Sequence, residues 1–171
     1  VSQFVFLDRF DILESAKPGS IFLINSPHGP QEVWDHLPLE YQEKILNKRL
    51  KLYVVDAYRI AKEIGMGRRI NTIMQACFFA LSGILPKEEA VKAMKDAIAK
   101  TYGKKGEMVV QKNFAMIDLA LENLYEVDTS DCRPSGRPMP AVVSPKAPEF
   151  VQSVIAPMIA GKGDSLPVSV F

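Results

Sequence analysis

The sequence is poor in the residues that build metal and redox centres. It holds two cysteines and two histidines in 171 residues, and Cys77 and Cys132 share no Cys-x-x-Cys spacing. Such a chain does not assemble an iron–sulfur or zinc site by itself. The lack of a disulfide framework fits a reducing cytoplasm. Excess charge is also missing: 21 basic residues face 20 acidic ones, for a formal net charge of +1. That argues against bulk attraction to nucleic acid or a membrane, so any anion site must be local. No apolar run approaches the roughly 20 residues that span a bilayer. The opening VSQFVFLDRF has no basic leader before an apolar stretch, unlike a signal peptide. Gly-x-Ser-x-Gly and His-x-x-x-His are absent, so no nucleophile–base pair declares itself.

What is present suits one α/β domain with an appended tail. Hydrophobic residues make up 47% of the chain, enough for a sizeable core. Val1–Leu7, Ile21–Ile24 and Leu52–Val55 are short apolar runs, the pattern of strands in a parallel sheet covered on both faces. Between them, Asp8 is placed to cap a helix through about Ala16, and further helices are expected at 31–36, 39–48 and 57–64, the last capped by Asp56. The second half reads as helical. Ile70–Leu85 is apolar nearly all round and predicts a buried helix; Pro86 opens a helix that Gly103 ends. Val110, Phe114, Ile117, Leu121 and Leu124 then mark one face of a helix to about Val127. Five prolines between Asp128 and Pro148 predict an extended linker, followed by a short helix over 149–160. The expected architecture is therefore a partial parallel sheet flanked by helices, then a helical half, a proline-rich linker and a short terminal helix. A strand at the very start and an apolar finish, LPVSVF, suggest a piece of a longer polypeptide.

Two short stretches can carry chemistry. Asn25-Ser26-Pro27 stands at the carboxyl end of an expected central strand, the edge where open α/β sheets bind ligands. It reads equally as a polar turn that caps the next helix. His28 follows in the same loop, and His36, at a helix end, reads as structural. The second stretch is Gly65-Met66-Gly67-Arg68-Arg69-Ile70-Asn71. Two glycines allow a tight turn and close backbone approach, a helix start offers free amides, and arginine brings a planar fork suited to phosphate. Those parts make an anion cradle. The competing reading is a helix–helix turn with solvated arginines. A helix precedes the glycines, so this is not a dinucleotide fingerprint. Lys112 and Asn113 add charge and a hydrogen-bonding amide if their helix packs antiparallel to its neighbour. Cys77 reads as a small core residue and Cys132 as an incidental one.

The stretches NSPHGPQEVWDHLP, YVVDAYRIAKEIGMGRRINTIMQACFFALSGILP, AIAKTYGKKGEMVVQKNF and GKGDSLPVSVF closely resemble the single-chain pyruvate:ferredoxin (flavodoxin) oxidoreductases, and the similarity covers essentially the whole chain. The resemblance implies a parent enzyme that oxidatively decarboxylates pyruvate with thiamine diphosphate, passes electrons through [4Fe-4S] clusters to ferredoxin or flavodoxin, and releases acetyl-CoA. It implies a cytoplasmic homodimer whose thiamine and cluster sites lie in other domains. Residues 1–127 match the later part of the gamma-type domain, the one implicated in holding coenzyme A; residues 128–171 match the segment leading toward the ferredoxin-like domain. By the same resemblance Gly65, Gly67, Arg69 and Asn71 fall on a family motif, as do Asn25, Ser26, Pro27, Lys112 and Asn113. Arg68 stands where relatives can carry glycine. The family's own glycine-rich loop lies upstream of this stretch. The chain alone is therefore expected to be inactive, contributing part of a coenzyme A site. The alternative is a piece that docks neighbouring domains without touching ligand.

Overall fold

A computed structural model describes residues 1–170. A three-stranded sheet divides the molecule into two cores. Strands β1 (Ile21–Asn25) and β2 (Lys51–Val55) pair in parallel, and β3 (Tyr125–Val127) joins β2 antiparallel. Alternation along the strands sends Phe22, Ile24, Leu52 and Val54 to one face and Leu23 and Val55 to the other. The first face is covered by α1 (Val33–His36) and α2 (Leu39–Asn47), which bring Trp34, Leu37, Tyr41 and Ile45. The second is covered by α3 (Ala57–Glu63), α4 (Asn71–Ser82), α5 (Lys87–Tyr102) and α6 (Glu107–Glu122). This is the α/β sheet with flanking helices that the apolar runs predicted. Asp56 caps α3 as expected, its carboxylate accepting from the Arg59 amide at 2.9 Å.

Several expected elements take another form. Val1–Leu7 is not a strand. Val1 bonds to the β1 backbone at Leu23 and Asn25, the Ser2 carbonyl accepts from the Asn25 side chain, and Phe4–Asp8 closes into a 3₁₀ turn. The three-residue period puts Phe4 and Leu7 on the core side and leaves Val5 exposed. No helix follows Asp8. Residues 9–16 run as successive turns whose carbonyls are taken by α2 and the residue that ends it: the Lys48 ammonium donates to Leu13, Glu14 and Ala16 at 2.7–2.8 Å, and the Tyr41 hydroxyl donates to Phe10. Asp8 pairs with Arg137 instead of capping.

The helix around Ile70–Leu85 is shorter and less buried than its composition predicts. Ile73, Ala76 and Cys77 face the core, while Phe78 is 53% exposed. Neighbours cover only its inner side. The α6 helix ends at Glu122, and the last three residues of the expected run form β3. Its buried seam is Val110, Asn113, Met116, Ile117 and Ala120, with Phe114, Leu121 and Leu124 half-buried beside it. Near the C-terminus a π-helical turn (Val151–Ile155) precedes α7 (Ala156–Ile159). Pro157 has no N–H to return to the preceding turn, which accounts for the wide geometry just upstream.

Residues 128–148 form no helix or strand, yet part of this segment is strapped across α1 and α2. The Trp34 indole donates to the Arg133 carbonyl, the Leu39 amide to the Arg137 carbonyl, and the Met139 amide to the Glu40 carboxylate. Gln42 completes the strap with bonds from the Ser135 and Gly136 amides.

Candidate functional site

Two regions contain the residues singled out from sequence, at opposite ends of α3. A helix of its length spans about 10 Å. At its start, Asn25 and Ser26 are buried and their side chains are engaged in holding the fold. Asn25 Nδ2 donates to the Ser2 carbonyl at 2.9 Å, and Oδ1 accepts from the Ala57 amide at 2.9 Å. Ser26 Oγ accepts from the His28 amide at 2.9 Å. Pro27 and His28 border a cleft of about 120 Å³ shared with Asp56, Arg59, Asn123 and Tyr125. That volume is below the several hundred Å³ a nucleotide-sized ligand needs. Arg59 on its rim is already occupied by Glu63 and Asn123, at 2.9 and 2.8 Å.

The His28 ring in this loop stacks face to face on His36 at the end of α1, centroids 3.5 Å apart and 8° from parallel, with Phe4 edge-on to His28. Burial holds the His28 imidazole below its usual pKa; the neighbouring His36 pushes the same way, and Glu32 opposes both. Because the folded-state value is depressed, stability is fully present at neutral pH and is lost as pH falls below the ordinary histidine range, about 6.5. Thermal melts across that range should show the loss, and His36→Gln should flatten the curve. A slope unchanged by this replacement would mean the stack does not govern it.

At the far end of α3 the chain makes the glycine turn. Gly65 and Gly67 both adopt left-handed φ, 73° and 64°, a conformation that side chains with a Cβ rarely tolerate. Lys112 Nζ lies 3.5 Å from the Cβ position at Gly65, an ordinary contact distance that would by itself admit a side chain. The turn thus folds under a lysine delivered by α6. The helices bring this about differently from the expectation. Thr72 meets Asn113, and Cys77 meets Ala120, so α4 and α6 run parallel, with α5 returning the chain between them. Asn113, 3% exposed, donates to the Val109 carbonyl at 2.8 Å and spaces the two helices.

The electrostatics of this turn are one-sided. The start of α4 has no side-chain cap and no acidic residue in its first turn. Arg68 and Arg69 are exposed, and among the described residues neither they nor Lys112 forms an ion pair with a carboxylate. Free amides and the positive helix end thus follow two glycines, with Arg68 and Arg69 in the same turn and the Lys112 ammonium beside Gly65. Asn71 and Thr72 also line one end of a groove of about 460 Å³ between α4 and α5, whose walls include Phe79, Ala93, Met94, Ala97 and Ile98. Sequence inspection did not single out this groove. Its signal was the small residues Ala90, Ala93 and Ala97 at helical spacing on α5, which let a ligand approach between two helices.

The metal question follows from the donor set. Cys77 is buried, which pushes its thiol up to about 12, and burial together with nearby carboxylates raises that of Cys132. Neither is disposed to be a thiolate ligand. Among the described residues no group of three or more His, Cys, Asp or Glu side chains could hold a metal ion. These residues do not fit an iron–sulfur cluster or a metal-bound diphosphate. No helix among them is long and apolar enough to cross a membrane.

Comparison with known proteins agrees with the resemblance read from the motifs. A family model described as pyruvate ferredoxin/flavodoxin oxidoreductase matches residues 3–123, and one described as a domain of unknown function matches 137–171. The chain is 51% identical to a pyruvate-flavodoxin oxidoreductase of Rhodospirillum rubrum over 98% of its own length and 14% of that protein's. It is 45% identical to the pyruvate:ferredoxin oxidoreductase of Moorella thermoacetica, over 97% of this chain and 14% of the relative. Against the pyruvate dehydrogenase [NADP(+)] of Cryptosporidium parvum the identity is 39%, over 97% of this chain and 10% of the relative. The chain thus spans about one seventh of the bacterial relatives it matches. With a family match over most of its residues and high identity throughout, this chain belongs to the pyruvate ferredoxin/flavodoxin oxidoreductase family.

Proposed function

We propose that this chain is the coenzyme A-holding part of a pyruvate:ferredoxin or flavodoxin oxidoreductase, with residues 1–127 as the later part of its gamma-type domain and 128–171 leading toward the next domain. The supporting observation is the turn itself: three cations that have no carboxylate partner among the described residues, two left-handed glycines and an uncapped helix start, beside an apolar groove. Coenzyme A has the complementary layout, a charged head of diphosphate and 3′-phosphate joined to a slender arm that ends in a thiol. Arg69 and the α4 amides take phosphate, Lys112 adds charge above Gly65, and Asn71 and Thr72 mark where the arm enters the groove. The chain's part in the reaction is positioning. It neutralises the head group and directs the thiol toward an acyl group made in another domain, converting a bimolecular encounter into an oriented one. Thiamine diphosphate and the clusters supply decarboxylation and electron transfer in the parent enzyme, outside this chain, and the isolated piece is inactive. The partners are the other domains of the same polypeptide and, as the relatives' names indicate for those proteins, ferredoxin or flavodoxin.

Titration of the full-length polypeptide with coenzyme A tests this reading. Arg69→Ala should weaken binding by about 1.5–3 kcal/mol, the value of a charge-assisted contact, or roughly 10- to 150-fold. Dephospho-coenzyme A should show whether that contact is to the 3′-phosphate. Unchanged affinity in the variant would remove Arg69 from the site. A second reading, domain docking, is favoured by the exposed Phe78, Ile84 and Met108 and concerns different surfaces of the chain.

A further inference from the structure

Arg68 is an exposed cation that is nevertheless not free to wander. Its guanidinium carbon stands 5.7 Å from the centroid of the Tyr58 ring. Tyr58 lies in the first turn of α3, half-buried against the core beneath the sheet, so the ring is a fixed plate. A guanidinium held over an aromatic ring commits none of its N–H groups to a carboxylate, so they stay available to another partner. Arg59, one residue further along the same helix, shows the contrast. Its fork is spent on Glu63 and Asn123, whereas Arg68 is steadied by a neutral ring and has no carboxylate partner among the described residues. The charge count points the same way. A single phosphate carries about −1.5 to −2 at neutral pH, too little to balance Arg68, Arg69, Lys112 and a positive helix end together.

We infer that Tyr58 is a positioning residue that holds Arg68 as a second phosphate-binding arm, so that this turn selects a ligand bearing several phosphate groups over one bearing a single phosphate. This rests on the coenzyme A reading above. It adds a discrimination that Arg69 alone does not provide, because consecutive arginines on a turning backbone reach different groups.

The experiment is a set of binding titrations on the full-length polypeptide with coenzyme A and with 4′-phosphopantetheine, which has one phosphate. Arg68→Ala should weaken coenzyme A by about tenfold or more and leave phosphopantetheine nearly unchanged. Tyr58→Leu should cost about two- to fivefold for coenzyme A, while Tyr58→Phe, which keeps the ring, binds like the parent. The double variant Arg68→Ala/Tyr58→Leu should bind no worse than Arg68→Ala alone, since the ring acts only through the guanidinium. A Tyr58 effect that merely reflects looser packing would persist in the Arg68→Ala background and would weaken both ligands alike; that result overturns the inference. So does an Arg68→Ala variant with unchanged coenzyme A affinity while Arg69→Ala is impaired, an outcome that leaves the coenzyme A reading standing. A parent protein that fails to bind coenzyme A at all defeats both.

Discussion

Gln42→Leu lowers the stability of this chain by about 3 kcal/mol, although leucine is close to glutamine in volume and suits a buried site. Gln42 is fully buried, and each of its polar atoms is in use: Oε1 accepts from the Ser135 and Gly136 amides, both at 2.7 Å, and Nε2 donates to the Trp34 carbonyl at 2.7 Å. Leucine fills the space and leaves the Ser135 and Gly136 amides without a partner, while the Trp34 carbonyl keeps only the Leu37 amide, at 3.1 Å. A buried unpaired group costs about 1–3 kcal/mol, and the strap residues are accessible enough for water to recover part of the sum. Gly136→Ala attacks the same junction from the other side. A Cβ there would press into the Leu37 carbonyl oxygen and stand 3.1 Å from the Gln42 side chain, an overpacking worth about 1–3 kcal/mol. Because both replacements break one contact, their effects should not add. Urea unfolding of the single and double variants measures this, with proteolysis around Gly136 as a second readout. If both single variants unfold at the parent's midpoint, the strap is not held as described.

That junction also shows what sequence could and could not reveal. The five prolines of 128–148 correctly exclude regular structure, but a proline-rich stretch looks the same whether it floats or is clamped. The clamp depends on Gln42, more than 90 residues away, and a lone glutamine in an amphipathic helix gives no warning of it. Distance in sequence explains the other departures too. Residues 9–16 have the composition of a capped helix, yet Tyr41 and Lys48 compete for their carbonyls. The β3 strand is three residues long and is defined by pairing with β2 rather than by any pattern of its own. Local signals fared better. The Asp56 cap, the β1 and β2 runs and the glycine turn follow from neighbouring residues alone, since a capping carboxylate, an unbroken apolar run and a pair of φ-permissive residues carry their meaning with them. The candidate site falls between these cases. Gly65, Gly67 and the arginines were legible. Lys112 could be named only on the condition that its helix packs near the turn, and Tyr58 was not singled out, since its meeting with Arg68 takes a side chain reaching from the turn to the first turn of α3.

Asn25 supplies the second large effect, and it separates a structural from a ligand-binding role at the β1 edge. This side chain is 2% exposed and ties three segments: its carbonyl takes the Ala57 amide at the start of α3, and its amide reaches Ser2. Asn25→Ala leaves a buried N–H and a carbonyl unpaired and opens a small void, for about 2–4 kcal/mol. Asn25→Asp keeps the shape and the acceptor but turns a donor toward Ser2 into an oxygen, placing a carboxylate against a carbonyl in a dry site. Burial and that repulsion raise the folded-state pKa of the introduced carboxyl above its unfolded value. The protonated form restores the donor. Stability of Asn25→Asp should therefore be highest at acid pH and fall as pH rises through the raised value, whereas the loss in Asn25→Ala should be pH-independent. Denaturant melts at several pH values distinguish the two. Coenzyme A titration below the melting temperature then decides the role. With every polar atom of Asn25 committed to the backbone, affinity in Asn25→Ala should match the parent within about twofold, or roughly 0.4 kcal/mol. A loss comparable to that of Arg69→Ala would place the β1 edge in contact with ligand, and the site would then have to extend along the whole of α3.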